Sequence, residues 1–156
     1  MITDQAEEFA ARLPHGGVLL GLDPGTRTIG TALCDAGWRF ATAAGTVART
    51  KFSKDAAALA AIVMERHVRG LVCGLPRNMD GSEGARAQSA RAFSRNLTQV
   101  LALPILLWDE RWSTVSAERH LVAQDVSRAK RAERIDAHAA AVILQAAIDR
   151  LTRLDR

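Results

Sequence analysis

Two cysteines, Cys34 and Cys73, are all that the 156-residue chain carries. They lie far apart, inside apolar runs, with no partner at metal-ligand spacing. That excludes a zinc site built on thiolates and leaves two small buried hydrophobes in a reducing compartment. The four histidines, His15, His67, His120 and His138, show no ligand spacing either. Ser82 and Ser113 have no histidine that the sequence can place beside them, so a serine nucleophile has no support. No apolar stretch is long enough to span a bilayer. The segment from Met1 to Arg12 carries acids and lacks the apolar middle of a signal peptide. The expectation is a cytoplasmic protein with no membrane partner. Internal repeats and low-complexity linkers are absent as well.

What is present suits one globular domain over residues 1–156. Hydrophobic residues make up 48% and charged residues 24% of the chain, enough for one core and too little for two. The formal net charge is +4 and the sequence pI about 9.8. A basic balance favours a polyanionic partner, of which nucleic acid is the usual one.

Apolar runs alternate with helical periods, which predicts an α/β layer structure. Val18 to Leu22 reads as a buried strand with an acid, Asp23, at its exit, and Pro24-Gly25-Thr26 as the turn. Strands are expected from Ile29 to Cys34 and from Trp38 to Val47, completing an antiparallel meander of three. Ser53 offers an N-cap to a helix carrying Leu59, Ile62, Val63 and Arg66, which Gly70 ends. Leu71 to Leu75 is a further strand, followed by a polar loop from Arg77 to Gly84. Ala87, Ala90, Phe93, Leu97, Val100 and Leu101 line a helix face. Ile105 to Trp108 is another strand, leading into Asp109-Glu110-Arg111. Ser113 or Thr114 can cap a short helix to about Gln124. Asp125 to Arg134 reads as a basic loop, and a last helix starts near Asp136. Right-handed crossovers place the later strands parallel to the first in one mixed sheet.

Asp23 and Glu110 each follow a strand expected to run the same way, so both fall at the sheet edge where α/β proteins build sites. Asp136 opens a helix that must pack back on that sheet. Three carboxylates from distant segments suit phosphodiester hydrolysis, where two magnesium ions activate water and relieve charge on the leaving oxygen. Each acid also has an ordinary structural role open to it: a turn for Asp23, an ion pair with Arg111 or Arg134 for Glu110, a helix first turn for Asp136. Arg27, Arg77, Arg86, Arg111, Arg128, Lys130, Arg131 and Arg134 are candidate phosphate contacts, and the stretch 128–134 is the densest patch. The alternative for each is a solvated basic face. Trp38, Trp108 and Trp112 read as core or rim, with base stacking a second role for Trp112.

Four blocks, in order and at fitting spacings, carry a resemblance. They are Gly21-Leu22-Asp23-Pro24-Gly25-Thr26-Arg27-Thr28-Ile29-Gly30, the run from Gly74 to Gly84, Trp108-Asp109-Glu110-Arg111, and Ser127-Arg128 through Ile135-Asp136. In these the chain resembles the YqgF (RuvX-like) family of pre-16S rRNA nucleases and Holliday junction resolvases, over about Val18 to Arg150. The resemblance implies an RNase H-like fold. It implies a site of Asp23, Glu110 and Asp136 with two Mg2+ or Mn2+ ions. Its substrate is then structured RNA, the 5′ end of pre-16S rRNA, or alternatively branched DNA, cut by a monomer or a homodimer. The chain departs from the family pattern at Trp112, where a leucine is expected, and at the alanines within 127–134. Asp23-Pro24-Gly25-Thr26 also looks like the first phosphate loop of the actin and sugar-kinase ATPases, but no second such loop follows.

Overall fold

A computed structural model describes residues 1–113 and 128–154, with side chains for all of these except 128–134. Among the described residues, six strands form one mixed sheet: β1 (Ile2–Thr3), β2 (Leu19–Pro24), β3 (Thr28–Cys34), β4 (Ala41–Ala48), β5 (Gly70–Leu75) and β6 (Ile105–Asp109). Their spatial order is β1-β6-β5-β2-β3-β4. The β2-β3-β4 meander is antiparallel, while β2, β5, β6 and β1 run parallel. The mixed topology expected from the sequence is therefore the one observed.

Helices cover both faces. Alternation along the strands sends Leu20, Leu22, Leu71, Cys73, Ile105 and Leu107 to one face, under α2 (Phe52–Arg66) and α3 (Ala85–Val100). The intervening residues, among them Leu19, Ala32, Val72, Leu106 and Trp108, face α1 (Ala6–Ala11) and the long α4 (Arg128–Thr152). This period of two decides which side every strand residue serves.

Helix α4 crosses its face diagonally at very short range, and glycines make that possible. A Cβ on Gly30 of β3 would overlap the backbone carbonyl of Asp136, and one on Gly21 of β2 would lie 2.8 Å from the Leu144 Cβ. Farther along, Ile143 lies over Gly74 of β5, and Arg150 reaches Glu7 of α1 at 3.0 Å. One helix thus spans the sheet from β3 to the edge beside α1.

Several boundaries differ from expectation. Helix α2 begins at Phe52 without a side-chain cap from Ser53. Instead the Asp55 carboxylate accepts from the Thr50 backbone N–H and hydroxyl, because a charged acceptor in the first turn outcompetes a neutral one. The helix ends not at Gly70 but at Arg66, with His67 left-handed at φ 54°. Gly70 starts β5, where a Cβ would press on Phe9 at 2.9 Å. The third strand starts at Ala41, later than Trp38. Asp35 holds the intervening bend by accepting from the N–H groups of Gly37, Arg39 and Phe40. Val100 is exposed. Residues 128–134, read as a loop, are helical; Ala129 and Ala132 among Arg, Lys and Glu are all strong helix formers. Asp136 therefore sits two turns inside α4 and does not open it. The short helix expected up to Gln124 lies outside the described residues.

Candidate active site

Asp23, at the end of β2, is 1% exposed and Glu110, just past β6, is 8% exposed. Both fall on the face that α4 covers, for the reason that orders the core. Asp23 alternates with Leu22, which faces the other helices, and Glu110 is in phase with Trp108 and Leu106. Both lie at the carboxyl ends of parallel strands. Cys73, on the β5 strand between them, lies within range of both charges. Its thiol is pushed up to about 12, first by burial and then by Asp23 and Glu110, against hydrogen bonding with Ser94 and the charge of Arg49.

Asp136 comes to the same end of the sheet from α4. The Thr28 hydroxyl donates to its Oδ2. Missing side chains make the room. A Cβ on Gly25 would lie 2.7 Å from Asp136 Oδ2, and one on Gly74 would lie 2.8 Å from Glu110 Oε1. The glycines at 25, 30 and 74 are thus cradle positions for the carboxylates and for the helix that carries one of them. Inside a helix, Asp136 no longer has the first-turn role that would have explained it structurally.

The donor set, carboxylate oxygens on one face of a sheet end, suits a hard divalent cation such as magnesium or manganese. Among the described residues no three His, Cys, Asp or Glu side chains close into a ready cage. Magnesium does not require one, since it keeps several waters and binds through one or two carboxylates plus substrate phosphate.

Asp109 and Glu110 are adjacent and therefore point opposite ways. Asp109 is 2% exposed and belongs to an ion-pair cluster behind the acids. It accepts from the Arg111 backbone N–H at 2.9 Å, opening the 3-10 turn Glu110–Trp112, and from the Arg111 guanidinium at 2.7 Å. Arg77 Nη1 approaches it at 3.5 Å. Arg77 also meets Glu83 and Asp4, and Glu83 pairs with Arg91. Burial would raise the Asp109 carboxyl, but hydrogen bonds and charge from Arg111 and Arg77 outweigh it and hold the group below its ordinary value. Arg77 and Arg111, read from sequence as phosphate contacts, are here engaged by an acid on the far side of Glu110. Arg27 and Arg86 are exposed. The side chains of Arg128, Lys130, Arg131 and Arg134 lie outside the described residues.

Three contributors escaped the sequence reading: Asp109, Thr28 and Arg49. Arg49 donates to the Gly25 carbonyl at 2.6 Å and packs over the Phe93 ring at 5.4 Å, fixing the turn after Asp23. Only the close pairing of β3 with β4 brings it there.

Residues 17–150 match the family model described as RuvX: Holliday junction resolvase. The chain belongs to the RuvX family. Among RuvX relatives, a protein of Novosphingobium aromaticivorans is 64% identical over 151 residues, covering 97% of both chains. One of Sphingopyxis alaskensis is 63% identical over 153 residues, covering 98% of this chain and all of the relative. One of Cereibacter sphaeroides is 60% identical across 100% of this chain and 98% of its own. All three bear the name "Putative pre-16S rRNA nuclease". Among solved structures, RuvC of T. thermophilus in complex with a Holliday junction substrate aligns with TM-score 0.55 at 13% identity. It covers 88% of this chain and 98% of RuvC. A second Thermus thermophilus RuvC structure aligns with TM-score 0.51 at 15% identity, covering 86% and 96%. These place the RuvX chain in the RNase H-like fold. The family description and the relatives' names agree on a nuclease, a hydrolase of phosphodiester bonds.

Proposed function

We propose that this RuvX nuclease is metal-dependent and trims the 5′ end of pre-16S rRNA, with Asp23, Glu110 and Asp136 as its metal-binding catalytic acids. The observation that carries this reading is the shared face. Two buried acids from parallel strands and a third from the covering helix meet one sheet end, with glycines where side chains would displace them. The choice of RNA rests on relatives of 60–64% identity that are named for it. A Holliday junction is the second reading, favoured by the family description.

Mg2+ or Mn2+ held there would polarise the phosphate and lower the pKa of a bound water. Asp23, most buried and central in the sheet, would hold the ions together with Glu110 and Asp136. Thr28 would orient Asp136 through the hydroxyl bond to Oδ2. Arg27, exposed in the turn after Asp23, is free to meet a backbone phosphate. The basic stretch 128–134 leads into Asp136 and would extend that contact. The protein would act in the cytoplasm as a monomer or homodimer; a resolvase must cut two strands symmetrically, which calls for the dimer.

The deciding experiment sets labelled precursor 16S RNA beside a four-way DNA junction, with magnesium, manganese or chelator. Metal-dependent cutting of RNA alone, lost in Asp23→Asn, supports the processing role. Symmetric cutting of the junction alone replaces it with the resolvase. Full activity in Asp23→Asn overturns the assignment of the acids.

A further inference from the structure

The same end of the sheet holds a hollow that the cutting site does not use. A cavity of about 580 Å³ lies on the α4 face, between the start of α1, strand β6, the 3-10 turn and the last turns of α4. Trp112 stands at it, 57% exposed and two residues beyond Glu110. Its ring meets that of Trp108 edge to face at 5.4 Å. Trp108 is 5% exposed, and its buried Nε1 has no hydrogen-bond partner among the described residues. A buried indole N–H normally finds an acceptor, and leaving it without one costs free energy.

The lining decides what fits. Its charged groups are Asp4, Glu7 and Asp149 against Arg150 and Arg153, and Glu7 and Arg150 already pair at 3.0 Å. No surplus of positive charge remains to hold a phosphate. The cavity instead offers an aromatic face, an indole donor and carboxylate acceptors. That combination matches an uncharged planar heterocycle bearing amino hydrogens and ring acceptors, which describes a nucleobase. Position agrees with chemistry. Trp108 lies two residues before Glu110, ~7 Å back along β6, and both fall on the face that α4 covers.

We propose that this cavity receives one unpaired base of the nucleic-acid strand, stacked on Trp112, a step or two from the phosphodiester at Asp23 and Glu110. The inference rests on the nuclease reading of those acids and adds a requirement to it: the strand is unpaired beside the cut. A base held inside duplex cannot leave its stack to enter without an energetic penalty.

The test measures binding of a short, end-labelled single-stranded RNA by the whole protein in chelator, so that nothing is cut. A matching set of RNAs carries one abasic site at successive positions. Trp112→Ala should weaken binding of the intact RNA about 5- to 100-fold, and Trp112→Phe should retain most of it. One abasic position should weaken wild type by the same factor and cost Trp112→Ala nothing more. If Trp112→Ala binds like wild type, or if its loss is equal on every abasic RNA, the assignment is overturned. Cleavage of the intact RNA with magnesium separates the two levels. A wild type that cuts, with Asp23→Asn silent and Trp112→Ala binding and cutting like wild type, leaves the acids standing and removes the cavity. A wild type that neither binds nor cuts removes both.

Discussion

Adjacent acids at the end of β6 do opposite jobs because the pleat turns one to each face. Asp109 is buried among arginines, whereas Glu110 faces α4. Truncating one partner of a buried ion pair leaves the other charge uncompensated. Asp109→Ala should therefore cost about 3 kcal/mol, toward the lower end of the range for buried pairs, since Arg77 and Arg111 keep some water. The carboxyl is held below its ordinary 3.8 in the folded protein. Its stabilisation is thus complete above that value and fades as pH falls through the lower, folded one. Urea melts between pH 3 and 6 should show wild type losing stability over the acid end, with a shallower loss in Asp109→Ala. Equal slopes would show that Asp109 is not held in this way. The three unforeseen contributors belong to this scale too. In sequence, Asp109 and Glu110 look alike, and only strand phase tells them apart. Thr28 and Arg49 act across turns and strand pairs, which spacing along the chain does not reveal.

Among the elements, α4 sets the geometry. It supplies Asp136, closes one core and lies so near the sheet that Gly30 has no room for a methyl group. Gly30→Ala should destabilise by about 1–3 kcal/mol through overpacking and lower cleavage by displacing Asp136. Gly84→Ala is the control, because a Cβ there meets nothing nearer than Asn78 at 3.7 Å. Parallel denaturation curves and initial rates for both variants test the point; equal behaviour would argue that the helix sits more loosely. Much at this scale was legible. Apolar runs ending in acids marked β2 and β6, and the alternation of strands and helices gave the mixed sheet. The start of α4 was not, because a dense basic charge run reads as loop while its alanines speak for helix. β1 and α1, two and six residues long, are too short for periodicity to register. The acid at 136 was found for a reason the structure replaces: it lies in the body of the helix, against glycines, and not at its first turn.

Across the whole molecule the two layers enclose the thiols. Cys34 is pushed up to about 11, chiefly by burial, and Cys73 higher still. A thiol that is neither ionised nor reachable reacts slowly. Native protein at pH 8 should be unreactive toward an aromatic disulfide reagent on the timescale of minutes, and both cysteines should label together on unfolding. Rapid labelling of one thiol in native conditions would reveal a local opening of its layer. Salt acts at this scale as well: with a net charge of +4, binding of nucleic acid should weaken steadily as salt rises.

The order in which the ribosome makes these parts has its own consequence. Every strand among the described residues precedes α4 in the chain, so the helix that covers Asp23 and Glu110 is made last. Synthesis proceeds at about 5–20 residues per second, and until the final helix emerges there is neither a finished core nor a third acid. On the proposed reading of these acids, the cutting site cannot be assembled until translation has passed α4.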